Sequence, residues 1–250
     1  MYYYIMEPLG KKEAVWQEKV KNVLADLGIA GETAIPSPAR SVEELTNLGV
    51  IKGYSTIVAV GSEKIINKVA TAIINQKENP DTVLGIIPFD FEGKLAQKFQ
   101  LTDLKTACTA LKHRKLETID LCVIEPNKYF LTQAEIENNR NLESYLTTPE
   151  IKAGLPFSKI VIEPGLKISI TDNGGQDLSG KKVFNWLFGK KEEDITSSFI
   201  KTKKLKIEVP ESNIPLKIDG EIVAKTPFVC HNRSKALKII VARDIISTKE

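Results

Sequence analysis

The stretch that says most about the fold reads Thr56-Ile57-Val58-Ala59-Val60-Gly61-Ser62-Glu63-Lys64-Ile65-Ile66-Asn67-Lys68-Val69. Its first five residues form a run without polar alternation, which is typical of a strand buried on both faces of a parallel sheet. Gly61 and Ser62 predict a turn, and the apolar residues between Glu63 and Asn75 recur at helical spacing. The stretch therefore predicts a strand, a turn and a helix of an α/β domain.

Strands and helices alternate in the same way through the first half of the chain. Gly28 marks the end of the first helix, and Ser41 and Glu44 have the spacing of a capping box at the start of the second. The predicted elements, in order, are strand 2–6, helix 11–27, a short helix from 41, strand 56–60, helix 63–75, strand 84–87 and a helix capped by Thr102 that ends by 115. We expect a Rossmann-like three-layer α/β domain over residues 1–115.

The second half of the chain changes to short alternating strands. They are predicted at 119–124, 159–162, 166–170, 205–209, 216–218 and 236–242. Helix is predicted from Gln133 to Tyr145 and in a piece around Phe184 to Phe188. We expect residues 116–250 to form an antiparallel, β-sandwich-like domain.

Composition excludes several classes of protein. The 250 residues contain three separated cysteines and two histidines, which leaves no disulfide framework, zinc site or Ser-His-Asp arrangement, and no metal ligands are predicted. The net charge of +3 is too mild for a nucleic-acid-binding protein. Neither a membrane span nor a basic signal sequence is present, so we expect a cytoplasmic protein.

Several segments together resemble the diacylglycerol kinase and sphingosine kinase family. Residues 56–69 are similar to the family segment Ile-Val-Ala-Val-Gly-Gly-Asp-Gly-Thr-Leu-Asn-Glu-Val, and Leu84 to Pro88 is similar to its next strand. Ile119-Asp120-Leu121 and Tyr129-Phe130-Leu131 resemble the entry to its second domain, and Pro215 to Glu221 with Thr226 to Phe228 resemble its Asp-Gly-Glu hairpin. Order and spacing agree over most of the chain, although residues 140–200 match poorly.

The resemblance implies a chemistry and a set of residues. It implies a diacylglycerol kinase catalytic-type domain at 1–115 and, if the protein is active, ATP-dependent phosphorylation of a lipid hydroxyl with Mg²⁺. The Asp of the hairpin, Asp219, would be the general base, and Glu221 would support it. The positions that match the nucleotide-binding segments are Gly61, Ser62, Glu63, Lys64, Asn67 and Pro88.

The phosphate turn departs from the family pattern. Ser62, Glu63, Lys64 and Ile65 stand where the family has Gly, Asp, Gly and Thr. A side chain at Lys64 opposes the close backbone approach that glycine permits. Residues 89–94 and Glu7-Pro8 also differ from the family's next loop and its Asn-Pro segment. These changes favour an alternative, a catalytically inactive protein that binds a lipid or a protein partner.

Individual residues allow two interpretations. Lys64 either supplies positive charge to a phosphate or is a solvated lysine at the helix start, and Glu63 is either a longer acid or a carboxylate favoured by the helix dipole. Asp219-Gly220 is either catalytic or the sequence that a type I′ hairpin demands. NAD kinase-like activity is a third hypothesis, but its Gly-Gly-Asp-Gly turn is the part missing here.

A basic and aromatic segment raises the question of membrane contact. Residues 181–191 place Phe184, Trp186, Leu187 and Phe188 between two lysine pairs. This composition suits either an anionic membrane surface, which would make the protein peripheral to the membrane, or packing onto the β domain. The sequence leaves the lipid and the oligomeric state open.

Overall fold

The computed structural model describes residues 1–8, 10, 14–76, 81–171, 197–210 and 213–242. Met1–Asp120 together with the chain from Ser234 onward form one compact unit, here called unit 1, and Leu121–Arg233 form unit 2. The division into domains at residue 115 stays a prediction. The two units divide after residue 120, and the chain returns to unit 1 at Ser234.

Unit 1 is built on a parallel sheet with helices. Its elements are β1 (Tyr2–Met6), α1 (Ala14–Asp26), β2 (Glu32–Ala34), α2 (Val42–Ile51), β3 (Thr56–Gly61), α3 (Glu63–Asn75), β4 (Val83–Pro88), α4 (Lys94–Lys98) and α5 (Leu104–His113). The strands lie in the order β4-β3-β1-β2, and each neighbouring pair is parallel. Every residue of β3 and of β4 is buried, as the apolar runs predict. The mixed α/β fold is therefore confirmed.

Local signals fix where the helices of unit 1 begin. The capping box of α2 is present, since the Glu44 amide donates to Ser41 Oγ at 3.1 Å and the Ser41 amide donates to Glu44 Oε2 at 2.7 Å. The predicted cap Thr102 is wrong by one residue. Asp103 caps α5 because its backbone is extended and its carboxylate accepts from the Thr106 amide at 2.7 Å. The start of the predicted first helix, residues 11–13, lies outside the described residues.

Unit 2 is an antiparallel sheet. Its strands are the last part of β5 (Leu116–Ile124), β6 (Lys128–Phe130), β7 (Ala134–Thr147), β8 (Lys152–Glu163), β9 (Lys167–Thr171), β10 (Ser197–Lys201), β11 (Lys204–Glu208), β12 (Pro215–Ile218), β13 (Glu221–Lys225) and the first part of β14 (Phe228–Ile240). The order β10-β9-β8-β7-β11-β14 is antiparallel where these strands pair, and β12 joins β7 to β13. The far end of β14 lies in unit 1, where Ile239 pairs with Leu84 of β4. A buried core that includes Phe130, Phe157 and Ile160 supports the sheet of unit 2.

The helix predicted from Gln133 to Tyr145 is wrong. All of this stretch but Gln133 lies in β7, which pairs with β8 at residues 134–137 and 142–147. Ala134 and Ile136 are buried at one end and Ser144 and Leu146 at the other, each with the spacing of two that a strand gives. The register shifts between Glu137 and Leu142, and this irregularity breaks the alternation that would have identified a strand. The helical piece predicted around Phe184 to Phe188 lies outside the described residues.

Two further expectations concern cysteines and membranes. Cys108, Cys122 and Cys230 are all buried, and no disulfide joins any of them. Among the described residues, no helix combines the length and the apolar character that crossing a membrane requires.

Candidate functional site

The turn between β3 and α3 is held by a carboxylate from the residue that follows β1. Ser62 is the N-cap residue of α3, but its side chain makes no capping bond to the helix. The Ser62 amide donates to Glu7 Oε2 at 2.6 Å, and the Ser62 hydroxyl donates to Glu7 Oε1 at 2.9 Å. Glu7 directly follows β1, the strand beside β3. Both donors of Ser62 are therefore bound to an acid of the chain itself.

Glu7 also fills the space that glycine leaves at this turn. Gly61 has a φ of +147°, and a Cβ built there would lie 2.5 Å from Glu7 Oε2 and 2.6 Å from Glu7 Cβ. It would also lie 2.9 Å from Cγ2 of Ile65. The backbone of Glu7 is fixed as well, because its amide donates to the Val60 carbonyl at 2.9 Å and its carbonyl accepts from Gln17 Nε2 at 2.7 Å. The absent side chain of Gly61 leaves a space, here called the cradle, and Glu7 occupies it.

The second acid of the turn, Glu63, accepts a hydrogen bond from a neighbouring helix. It is the first residue of α3, and its Oε1 accepts from the Leu95 amide in the first turn of α4 at 2.7 Å. A Cβ built at Gly93 would lie only 3.2 Å from the same oxygen. Glu63 therefore links the start of α3 to the start of α4, which fits the interpretation of a carboxylate placed near helix N-termini.

The remaining predicted positions of unit 1 lie on either side of this turn. Lys64 is exposed, whereas Asn67 is buried with 6% of its surface accessible. Pro88 ends β4 and pairs with Gly61. Five of the six predicted nucleotide-binding residues thus lie in β3, α3 and β4 of unit 1, and the sixth, Ser62, lies in the turn between β3 and α3. Gly61 and Pro88 end neighbouring strands.

The loop after β4 is tied to the turn and carries an aromatic residue. The Phe89 amide donates to the Gly61 carbonyl at 2.7 Å. The Phe89 ring packs edge-on against Trp16 of α1, with 5.1 Å between ring centres. Asp90 Oδ1 accepts from the Glu92 amide at 2.9 Å, which closes the loop locally. The apolar pair of Trp16 and Phe89 therefore lies beside the turn.

The two predicted catalytic residues belong to unit 2. Ile218 pairs with Glu221, and Asp219 and Gly220 have φ values of +49° and +78°. Positive φ at both central residues is the geometry of a type I′ hairpin, which favours the sequence Asp-Gly. Asp219 Oδ1 lies 3.5 Å from Oγ1 of the buried Thr132. Backbone geometry therefore accounts for the residue types at Asp219 and Gly220, and the Thr132 hydroxyl donates a long bond to the acid.

The turn does not fit a nucleoside triphosphate with its metal. The donors of Ser62 are already bound, the cradle at Gly61 is filled, and Glu7 and Glu63 add two acidic side chains at the place where a phosphate would bring further negative charge. No cluster of three or more His, Cys, Asp or Glu residues that could hold a metal ion is present in the part of the chain that the structure describes.

Sequence reasoning missed the role of Glu7. It identified the position only as a departure from the family's Asn-Pro segment. The available signal was topological, because the carboxyl ends of neighbouring parallel strands meet at one edge of a sheet. Glu7 follows β1 and Ser62 follows β3, so an acid at the first position faces the donors at the second.

Solved structures share the fold of this chain. No protein-family model and no curated protein matches the sequence. A candidate diacylglycerol kinase from Bacillus anthracis str. Sterne is similar with a TM-score of 0.77 and 13% sequence identity, covering 98% of both chains. A diacylglycerol kinase from the same organism gives 0.76 and 14% over 98% of both chains, and another candidate gives 0.74 and 13% over 96%. The chain therefore has the diacylglycerol kinase-like fold that the sequence predicts, over nearly its whole length.

Proposed function

We propose that this protein is a divergent relative of the diacylglycerol kinases that does not bind nucleotide at its phosphate turn and acts by binding a lipid or protein partner. The observation that carries the proposal is the carboxylate of Glu7, which lies on Gly61 and accepts both donors of Ser62. A site whose donors are taken by an acid of the same chain has little left to offer a phosphate.

Electrostatics favours the same conclusion. Two unit charges 4 Å apart repel each other by about 4 kcal/mol at the effective dielectric constant typical of pairs near a protein surface. A ligand with micromolar affinity gains only about 8 kcal/mol on binding. A phosphate placed beside Glu7 would lose a large part of that gain before any hydrogen bond is counted. The charges at this turn therefore disfavour phosphoryl transfer there.

The rival candidate is an active lipid kinase, and one feature favours it. Asp219 and Glu221 keep the residue types of the family's hairpin, and Asp219 would be the base toward a lipid hydroxyl. Two positive φ values explain Asp219-Gly220 without catalysis, so the hairpin separates the candidates poorly. The phosphate turn separates them better, because a kinase must bind ATP and Mg²⁺ there.

Thermal unfolding with Mg²⁺-ATP tests the proposal. A ligand at 100 times its dissociation constant stabilises a protein by about 2.7 kcal/mol, which for this chain length is a rise in Tm of roughly 5 to 11 °C. We expect no rise at millimolar Mg²⁺-ATP. The variant Lys64→Ala is the matched control and should behave identically, since Lys64 is an exposed helix residue.

A rise of several degrees that disappears in Lys64→Ala would contradict the proposal. It would show that the altered turn still binds phosphate through the lysine. A kinase assay over a panel of lipids, with Asp219→Asn as the inactive control, would then be the next measurement.

The partner and its location are part of the proposal. We propose a lipid, a membrane surface or a protein rather than nucleic acid, since the net charge of +3 is small. The protein would then be cytoplasmic, with peripheral membrane contact if the partner is lipid. The segment 181–191, in which the sequence suggested such contact, lies outside the described residues.

A further inference from the structure

Exposed lysines gather where several strands of unit 2 end. They lie at the start of β9, at the end of β10, in the link from β10 to β11 and at the start of β11. Two backbone hydrogen bonds join these pieces, because the Thr202 amide donates to the Leu166 carbonyl at 3.3 Å and the Asn232 amide donates to the Lys203 carbonyl at 3.1 Å. We call the exposed cations of these strand ends the basic cluster: Lys167, Lys201, Lys203, Lys204 and Arg233.

Two lysines of the cluster stand directly opposite each other. Lys201 pairs with Lys167 in the antiparallel ladder of β9 and β10, so both side chains leave the same face of the sheet. Ile168, the next residue of β9, is fully buried, so the lysines lie on the face turned away from the core. Among the described residues neither lysine makes an ion pair, and like charges at opposite positions destabilise a sheet. An external anion beside the pair would relieve this repulsion.

Few carboxylates lie at the same strand ends. Glu163 lies opposite Lys167 on β8, and Glu125 lies 3.5 Å from Lys204. Glu150 lies in the turn from β7 to β8, which reaches β11 because Thr147 pairs with Lys206. Beyond the basic cluster itself, the described strand ends carry two further cations and three acids: Lys128, Lys152, Glu125, Glu150 and Glu163. Seven Lys and Arg side chains therefore stand against three carboxylates.

The other acids of the neighbouring strands are paired or distant. Carboxylates farther along β7 and β11 bind lysines of their own, since Glu135 and Glu137 contact Lys159 and Glu208 contacts Lys206. The acids of the β12–β13 hairpin lie at least three strands from β9, which is about 14 Å along the sheet. That separation exceeds the screening length of about 8 Å at physiological salt. The cluster therefore keeps its positive charge.

The residue types of the cluster favour a membrane surface among anionic partners. Bidentate recognition of a single phosphate relies on arginine, whereas a lysine ammonium is a point charge that suits many headgroups equally. The one arginine of the cluster, Arg233, is already engaged, because its Nη1 donates to the Tyr129 hydroxyl at 2.9 Å and its guanidinium lies 5.9 Å from the centre of that ring. Tyrosine is itself typical of membrane–water interfaces. Four lysines beside a tyrosine thus fit a layer of anionic headgroups.

We propose that the basic cluster of unit 2 binds the surface of an anionic membrane. The lysine ammonium groups would lie among the lipid headgroups, and Lys167 and Lys201 would share anionic neighbours there. The inference rests on the proposed function in that it chooses the membrane among the partners which that function admits. It uses no residue of the phosphate turn.

Co-sedimentation with lipid vesicles tests the proposal on the full chain. The probes are vesicles of equal parts phosphatidylcholine and phosphatidylglycerol, and vesicles of phosphatidylcholine alone are the control. At about 0.1 M salt we expect saturable binding to the anionic vesicles only. At about 0.5 M salt this binding should disappear, because the screening length falls.

The variant Lys201→Glu should move binding and stability in opposite directions. A lysine near an anionic surface contributes about fivefold in affinity, so reversing one charge should weaken vesicle binding about 25-fold. The same substitution replaces a repulsive cross-strand pair by an attractive one, so Tm should rise by roughly 1 to 4 °C. The rise would show that lost binding does not come from lost folding. Lys105→Glu makes the same change in net charge at an exposed position of α5 and should leave vesicle affinity unchanged.

Several outcomes would overturn the membrane surface. An equal loss of binding in Lys201→Glu and Lys105→Glu would show that net charge alone attracts the vesicles. Binding that Lys201→Glu retains and Trp186→Asp abolishes would assign the contact to the segment 181–191. Absence of vesicle binding, or tighter binding of duplex DNA or polyglutamate at the same salt, would identify another class of partner or none. A thermal shift with Mg²⁺-ATP would instead refute the nucleotide-free function and leave the membrane surface standing.

Discussion

Substituting Gly61 by alanine tests the central contact of the site. The new Cβ would lie 2.5 Å from Glu7 Oε2 and 2.6 Å from Glu7 Cβ, at a φ of +147° that an alanine rarely adopts. The unfavourable backbone conformation costs about 1 to 3 kcal/mol. Crowding against Glu7 costs roughly another 1 to 3 kcal/mol, since its Cβ is fixed by the backbone. We expect Gly61→Ala to lower the free energy of unfolding by about 4 kcal/mol.

Gly53→Ala separates the two contributions. Gly53 also has a positive φ, +79°, but no atom lies within 4 Å of a Cβ built there. Its substitution therefore carries the conformational cost alone, about 1 kcal/mol. Chemical denaturation gives both free energies, and thermal unfolding should show a fall of roughly 8 to 16 °C for Gly61→Ala against roughly 2 to 4 °C for Gly53→Ala.

A double-mutant cycle assigns the difference to Glu7. Glu7→Gly removes both atoms that the new Cβ meets first. In that background Gly61→Ala should cost about 2 kcal/mol, because the backbone conformation and the contact with Cγ2 of Ile65 remain. The difference corresponds to a coupling of roughly 2 kcal/mol between positions 7 and 61. If Gly61→Ala and Gly53→Ala destabilise the native chain equally, the carboxylate does not lie on Gly61 and the case against nucleotide binding fails.

Two further predictions concern a helix cap and the hairpin. Asp103→Ala should lower the free energy of unfolding by about 1 kcal/mol at neutral pH, because the carboxylate caps α5. The hydrogen bond from the Thr106 amide holds the pKa of Asp103 below its ordinary value of 3.8. The stabilisation by this cap is therefore present above pH 3.8 and is lost as the pH falls through the lowered pKa. The unfolding free energies of the native protein and of Asp103→Ala should therefore become equal in acid. A difference that stays constant with pH would contradict the prediction. Asp219→Asn should change stability by less than about 0.5 kcal/mol, whereas Asp219→Val should cost more than about 1 kcal/mol, since a β-branched residue disfavours a φ of +49°. Equal effects of the two substitutions on Tm would contradict the type I′ assignment.

Much of unit 1 could be predicted because its signals are local. The run from Thr56 to Val60 identifies a buried strand, and Ser41 with Glu44 identifies a helix start, since each feature depends on residues within one turn or one strand. The cap of α5 shows the limit of this reasoning, because the sequence indicated Thr102 and the structure has Asp103. Two adjacent residues can both accept a bond, and only the backbone angles decide between them.

Irregular strands and distant contacts could not be predicted in the same way. The register shift in β7 hides the alternation between Glu137 and Leu142, so the apolar spacing there resembles a helix. Glu7 and Ser62 lie 55 positions apart, and their contact exists only because β1 and β3 are neighbours in the sheet. The linear sequence shows neither the register shift nor the contact between Glu7 and Ser62. The parallel order of the strands, once known, implies the contact.

The changes at the turn are best understood together. An α-helix N-terminus carries partial positive charge and unpaired amide donors, and an anion there is favourable by about 0.3 to 1 kcal/mol, or somewhat more when partly buried. In a phosphate-binding turn the ligand supplies that anion, so the turn must stay open and flexible enough to admit it. Here Glu7 supplies an anion from the chain itself, and under the proposed function no ligand is needed there, so side chains at positions 62 and 64 are compatible with the turn. Gly61 alone is still required, because the carboxylate now occupies the cradle that glycine opens. The surviving glycine therefore argues for the internal acid and not for a retained nucleotide.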